Sequence, residues 1–124
     1  MDWDENTLDR IVQADDLKIA PLRADRKTYG TPTWIWAVAV GNDLYVRAYN
    51  GIRSRWYQAA IANPEGRVIA AGDTFDVVFE PAPAAVEDAV SDAYREKYRG
   101  STYLPHMIAA GPVSATVRIL PGHP

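Results

Sequence analysis

The sequence has no cysteine, two histidines, two methionines and two phenylalanines, and no excess of positive charge. Without cysteine there is no disulfide framework, thiolate nucleophile or zinc–thiolate centre. Two histidines, His106 and His123, are too few for an imidazole metal cage, and no metal site is expected. Thirteen Lys and Arg against sixteen Asp and Glu give a net charge of −3, with the basic residues scattered. Nucleic-acid binding draws on a basic footprint, so a nucleic-acid partner is not expected. No apolar run nears the roughly 20 residues of a bilayer-spanning helix; the longest, Trp34 to Val40, has strand length. Met1 to Glu5 is acidic where a secretory leader is basic and then apolar. A cytoplasmic chain without membrane association is the expectation. Walker loops, glycine-rich dinucleotide fingerprints, HExxH and nucleophile elbows are also missing.

What is present is an ordinary globular balance, 48% hydrophobic and 23% charged over 124 residues. That length suits one domain, 1–124, with one real core. Four Trp and seven Tyr outnumber the two Phe. Rings with a polar handle seek a hydrogen-bond partner when buried, and they serve a core, a subunit interface or a pocket wall.

Asn6 or Thr7 is placed to cap a first helix to about Ala14, with Leu8, Ile11 and Val12 on one face and Asp15-Asp16 as its stop. Leu17 to Leu22 reads as a short strand, and 24–32 as a loop carrying Arg26, Lys27 and Thr28. Thr33 to Val40 reads as one strand apolar on both faces, which implies cover on both sides. Trp34 and Trp36 are expected in the core. Gly41-Asn42 is a two-residue hairpin turn into Asp43 to Asn50. There Leu44, Val46 and Ala48 share one face, and Tyr45, Arg47 and Tyr49 the other. A short helix follows from Ser54 to Ala62, then a hairpin of Arg67–Ala71 and Thr74–Glu80 around Gly72-Asp73. The longest helix is predicted from Ala84 to about Arg99, with Gly100 as its stop. An irregular connection over 101–111 leads to a last strand, Val113 to Leu120. The sum is an α+β domain, a six-stranded, mostly antiparallel split β-barrel with flanking helices.

Two constellations carry chemistry. Arg47 and Tyr49 leave one strand face near its end, Gly51 permits close backbone approach, and Arg53, Ser54 and Arg55 stand at a helix start. Helix N-termini favour anions and guanidinium groups bind phosphate or carboxylate bidentately, so this turn suits an anion, with Trp56 beside it. The plainer reading is arginines on a solvated face and a capping serine. In the second, Tyr94, Lys97 and Tyr98 share a helix face at i, i+3 and i+4. An ammonium beside a phenol favours the phenolate, a proton-handling arrangement; the plainer reading is packed tyrosines with a snorkelling lysine. His106, in a loop, is a candidate base.

The segments Leu44 to Gly51, Ser54-Arg55-Trp56-Tyr57, Asp92 to Tyr98, the stretch Asp16 to Leu22 and the terminal strand ending in Leu-Pro resemble a family of small bacterial proteins. That family is catalogued as a domain of unknown function, family 2255, and implies no activity. More distantly, Arg26-Lys27-Thr28, the strands at Trp34 and Asp43, Gly51, Trp56 and Asn63-Pro64 fall in the order seen in split-barrel flavin-binding proteins, notably the deazaflavin-dependent nitroreductase group. That resemblance implies FMN or a deazaflavin coenzyme, its phosphate held by Arg26, Lys27, Thr28 and the turn from Arg47 to Ser54. It also implies a homodimer with ligand at the interface. Asp25 stands where the family's loop has its first glycine, and Tyr29 separates Thr28 from Gly30.

Three functions follow as expectations. The first is a small-molecule oxidoreductase using FMN or a deazaflavin, with Arg47, Arg53 and Ser54 at the phosphate, Trp56 and Tyr49 flanking the ring, and Tyr98 with Lys97 handling protons. The second is a cofactor-free isomerase, cyclase or lyase acting on an aromatic or carboxylated metabolite through Arg47 and Tyr98, Lys97 or His106. The third is a non-catalytic small-molecule-binding module.

Overall fold

The computed structural model describes residues 3–14 and 17–122. The helix stop expected at Asp15-Asp16 and the tail 123–124 lie outside them. Helix α1 (Glu5–Gln13) is capped by Asp4, whose carboxylate accepts from the Thr7 amide at 3.1 Å and the Thr7 hydroxyl. Asp4 displaces the expected Asn6 or Thr7 cap because its oxygen reaches the third helical amide. Leu8 and Ile11 face inward.

Among the described residues seven strands form one antiparallel sheet. They are β1 (Lys18–Pro21), β2 (Thr33–Trp34), β3 (Ala37–Val40), β4 (Asp43–Arg47), β5 (Glu65–Ala70), β6 (Asp73–Pro81) and β7 (Thr116–Pro121). Their order in the sheet is β2-β1-β5-β6-β7-β4-β3. The outermost strands, β2 and β3, are consecutive in the chain and separated by Ile35 and Trp36 alone. The sheet therefore curls until its two edges meet through one covalent segment. This corrects the expectation of six strands: the segment 33–40 is two strands on opposite edges. At the crossover, the Ile35 amide donates to Leu17 O, the Tyr94 hydroxyl to Trp36 O at 2.7 Å, and the Lys97 ammonium to Ala37 O at 2.6 Å. Backbone acceptors where the strand breaks are thus taken by side chains.

The two hairpin turns are tight. Val40 pairs with Asp43 around Gly41-Asn42, and Ala70 pairs with Asp73 around Ala71-Gly72. The second turn falls one residue before the expected Gly72-Asp73, with φ positive at both turn residues, a geometry that matches strand twist.

After a 3-10 turn at Gly51–Arg53, α2 (Arg55–Ala62) lies across the sheet. A second 3-10 turn, Ala84–Val86, leads into α3 (Glu87–Lys97), so the expected 84–99 helix is shorter at both ends. The connection expected to be irregular holds two short helices, α4 (Leu104–Met107) and α5 (Ala110–Ser114). Because the curled sheet has an inside and an outside, there are two cores. Leu44, Val46, Val68, Phe79, Val117 and Ile119 pack within with α1 and α2 residues, and Val38, Tyr45, Val90, Tyr94 and Met107 pack outside beneath α3. The two-sided cover expected over 33–40 is present at β3 but not at β2, where Thr33 and Trp34 are exposed. Among the described residues no helix is long and apolar enough to cross a membrane.

Candidate functional site

A cavity of about 470 Å³ opens between the β2–β3 crossover, the end of β4, the start of α2 and α4. This is within the range of small-molecule sites, roughly 300–1,000 Å³. The crossover contributes Thr33, Trp34, Ile35 and Trp36, and the end of β4 and the loop after it Arg47, Tyr49 and Asn50. Ser54, Arg55 and Trp56 enter from the α2 start, and Tyr103 and Met107 close the far side. Five of these twelve residues are Trp or Tyr, so the walls are aromatic with polar edges.

The turn from β4 into α2 is built on Gly51. Its φ is +65°, and a Cβ there would stand 3.1 Å from Gly111 O, so glycine alone fits without strain. The Gly51 amide donates to Ala48 O and the Ser54 amide to Gly51 O, which delivers Ser54 as the N-cap of α2. Its side chain makes no capping bond. The first backbone bond of the helix runs from the Gln58 amide to Ser54 O, so the amides before it point from the helix end beside the cavity.

Arg47 does not project as expected. It is fully buried, beneath α3, and its donors are taken by neutral acceptors. Nε donates to Thr116 Oγ1 at 2.9 Å, Nη1 to Ser91 Oγ at 2.7 Å and Met107 O at 3.3 Å, and Nη2 to Glu87 O at 2.8 Å. No carboxylate among the described residues pairs with it. Burial lowers its pKa from the usual arginine value, and the Tyr94 ring 5.5 Å away and Glu87 oppose the shift. The guanidinium remains a cation. Its contribution to the cavity is charge at the wall, not a free anion clamp.

Tyr94, Lys97 and Tyr98 of the expected proton-handling group stay together, with the Tyr94 and Tyr98 ring centroids 5.9 Å apart, but they face the crossover and not the cavity. Lys97 bonds the crossover and its ammonium lies 5.1 Å from the Tyr98 ring. Tyr98 stacks on Trp36 with centroids 3.9 Å apart, behind the cavity wall. Tyr94 is buried, and desolvation, helped by Tyr98, raises its pKa far above the usual phenol value. His106 Nε2–H donates to Tyr49 O, and its ring lies 4.1 Å from that of Tyr49. None of Tyr98, Lys97 and His106 lines the cavity.

Of the residues expected to hold a cofactor, Arg47, Tyr49, Ser54 and Trp56 come together at the cavity. Arg53 does not: the 3-10 turn consumes it and leaves it exposed, and Arg55 takes its place. Arg26, Lys27 and Thr28 lie on an exposed loop away from the lining. The Asp25 carboxylate accepts from the amides of Lys27 and Thr28 and from the Thr28 hydroxyl, and those bonds hold its pKa below the usual carboxylate value. The donors that would cradle a phosphate are therefore occupied by the chain's own anion, and this loop does not fit the coenzyme phosphate.

Sequence reasoning missed Trp34, Trp36 and Tyr103. Trp34 was expected in the core and is 65% exposed, and Tyr103 is 60% exposed. The available signal was the apolar run on both faces of 33–40, longer than one short strand needs.

A curled antiparallel sheet with flanking helices and an aromatic pocket at its seam defines a small α+β architecture. The chain belongs to the family described as uncharacterized proteins conserved in bacteria, DUF2255, whose model matches residues 7–119. No curated protein matches it. Among solved structures, the conserved hypothetical protein Rv2991 from Mycobacterium tuberculosis is similar in fold. Its TM-score is 0.61 at 16% identity, over 94% of this chain and 78% of that one.

Proposed function

We infer that the pocket binds a planar heteroaromatic small molecule, and that an FMN- or deazaflavin-type coenzyme is the ligand class, making the chain a small-molecule oxidoreductase of split-barrel type. The observation that carries the reading is the lining itself. Trp34, Trp36, Trp56, Tyr49 and Tyr103 supply faces and edges for a flat ring, and the lining contains no Asp, Glu, His or Lys. The lining lacks the imidazole, carboxylate and ammonium groups that most often move protons in cofactor-free isomerases and lyases. Chemistry in such a site belongs to what it binds. When bound, a flavin-type coenzyme supplies hydride or electron transfer. The chain's own contribution is to hold the ring among the five aromatics, exclude water along that wall and present positive charge from Arg47 and Arg55. The homodimer implied by the resemblance is kept in this reading, supported by exposed Trp34, Tyr103 and Ile52 around the pocket.

The test is absorption between 300 and 500 nm of the purified protein, alone and after incubation with FMN or deazaflavin coenzyme and desalting. A retained visible band and quenched tryptophan fluorescence are expected. A colourless protein that keeps neither coenzyme defeats the flavin reading. Light scattering that returns a single chain of 13.7 kDa defeats the dimer.

A further inference from the structure

We propose that residues 100–106 form a gate over the pocket, with Tyr103 as its door and His106 as its latch. The proposal rests on the reading of the cavity as a small-molecule site and adds how a ligand enters it.

The segment is fixed at both ends and loose between them. At one end Tyr98 is stacked on Trp36; at the other Met107 is buried, with its carbonyl held by Arg47 Nη1. None of the residues 100–106 is buried. Gly100 turns the chain at a φ of +85° with open space around it, a conformation that glycine enters and leaves freely, so it serves as a hinge. The four residues of α4 are too few to hold a helix unaided. Among the described residues, the hydrogen bonds made by 100–106 stay within four residues along the chain, with one exception. That exception runs from His106 Nε2–H to Tyr49 O. Ring contacts support it: His106 lies against Tyr49, and Tyr103 meets Trp36 and Tyr49 edge-on. A segment with no buried residue and one long-range bond opens at a lower free energy than the sheet behind it.

What opens is the cavity. Tyr103 is the residue of this segment in the lining, and by meeting both Trp36 and Tyr49 it bridges the crossover wall and the β4 wall. Its displacement widens the mouth between them. The latch acts on the same wall, since Tyr49 lines the cavity and also accepts the bond from His106. His106 itself stands outside the lining, as suits a residue that governs access and not chemistry.

The chain contains no cysteine, so a single introduced thiol reports alone. Ser54→Cys puts a thiol of similar size in the cavity lining, at a buried position. Ala60→Cys puts one in the core beneath α2, where labelling requires unfolding of the whole domain. Each is combined with His106→Ala and with His106→Gln, whose amide still donates to Tyr49 O. Reaction with a bulky reagent, fluorescein maleimide, is followed without denaturant. In His106→Ala the thiol of Ser54→Cys is expected to label at least about fivefold faster, the value of one neutral hydrogen bond. It should stay near the parent rate in His106→Gln, and the thiol of Ala60→Cys should not respond to either change. An unchanged rate in Ser54→Cys, or equal acceleration in Ala60→Cys, overturns the gate. A glutamine variant as fast as the alanine one overturns the latch.

Stopped-flow mixing with FMN gives a second readout, in which entry and exit rates rise together in His106→Ala. A change confined to the exit rate marks His106 as a ligand contact and overturns the gate. The labelling needs no ligand. A pocket that labels as expected but retains no flavin defeats the flavin reading and leaves the gate standing, whereas retained flavin with unchanged labelling does the reverse.

Discussion

Arg47 offers the sharpest test of the structure, because a ligand clamp and an internal fastener respond differently to its removal. In Arg47→Ala the hydroxyls of Thr116 and Ser91 and the carbonyls of Met107 and Glu87 lose their donor. Each buried polar group left unpaired costs about 1–3 kcal/mol. Reorientation of the two hydroxyls and the helical bonds available to the carbonyls offset part of that. Removal of the cation also cancels its desolvation cost. The net loss expected is about 3–5 kcal/mol, the scale of breaking a buried charged network. Arg47→Met keeps most of the volume while shedding the charge, so it is expected to cost less, about 1–2 kcal/mol. At about 4 °C per kcal/mol for a chain of this size, the alanine variant melts roughly 12–20 °C lower. Equilibrium urea unfolding of the three proteins measures both differences. If Arg47→Ala stays within about 0.5 kcal/mol of the wild type, the range of surface substitutions, the guanidinium is not the fastener between β4 and α3, and the argument fails.

Four further outcomes are expected. Gly51→Ala forces a left-handed residue against Gly111 O and loses about 1–2 kcal/mol, read by urea unfolding; a neutral result would show that the turn relaxes freely. Lys97→Met removes the bond to Ala37 O, so amide exchange across 37–40 accelerates while binding at the pocket persists; slow exchange in the variant would return Lys97 to the catalytic candidates. The phenol of Tyr94 has a folded pKa above its ordinary 10. Its stabilising contribution is complete below pH 10 and is lost as pH rises beyond it. Wild type should therefore weaken more steeply than Tyr94→Phe above pH 10, and parallel profiles would contradict this. Asp25, held below its ordinary 3.8, behaves oppositely: its contribution is present above that pH and disappears as pH falls through the folded value. The amides of Lys27 and Thr28 should lose protection on acidification in the wild type and lack it throughout in Asp25→Asn.

Most of the strands were legible because their signals are local. Gly41-Asn42 sets a hairpin by backbone conformation alone, and the alternation of Leu44, Val46 and Ala48 against Tyr45 and Arg47 declares two faces. The break at Ile35-Trp36 was not legible. Nothing within 33–40 shows that its halves pair with strands at opposite ends of the sheet. That arrangement is completed by Tyr94 and Lys97, about sixty residues later. The helix caps show the same limit on a smaller scale, since Asn6, Thr7 and Asp4 are all competent and only the reach of the Asp4 carboxylate to Thr7 selects among them.

The site divides along the same line. Placing Tyr49, Ser54 and Trp56 together needed only a strand, a glycine turn and a helix start, which are contiguous in the chain. The role of Arg47 needed α3, because pleat parity assigns a face and not what covers it; Ser91 and Glu87 turn a group expected to meet ligand into one that meets the fold. Arg53 was the expected phosphate contact, but the 3-10 turn ends at Arg53 and it is Arg55 that lines the pocket. Tyr94 and Lys97 lie on α3 and Tyr98 is its C-cap, and together they close the sheet, bonding Trp36 and Ala37 and stacking on Trp36. The residues that looked catalytic by their neighbours along the helix therefore shape the pocket from behind, by fixing the crossover that carries Trp34 and Trp36 into its wall.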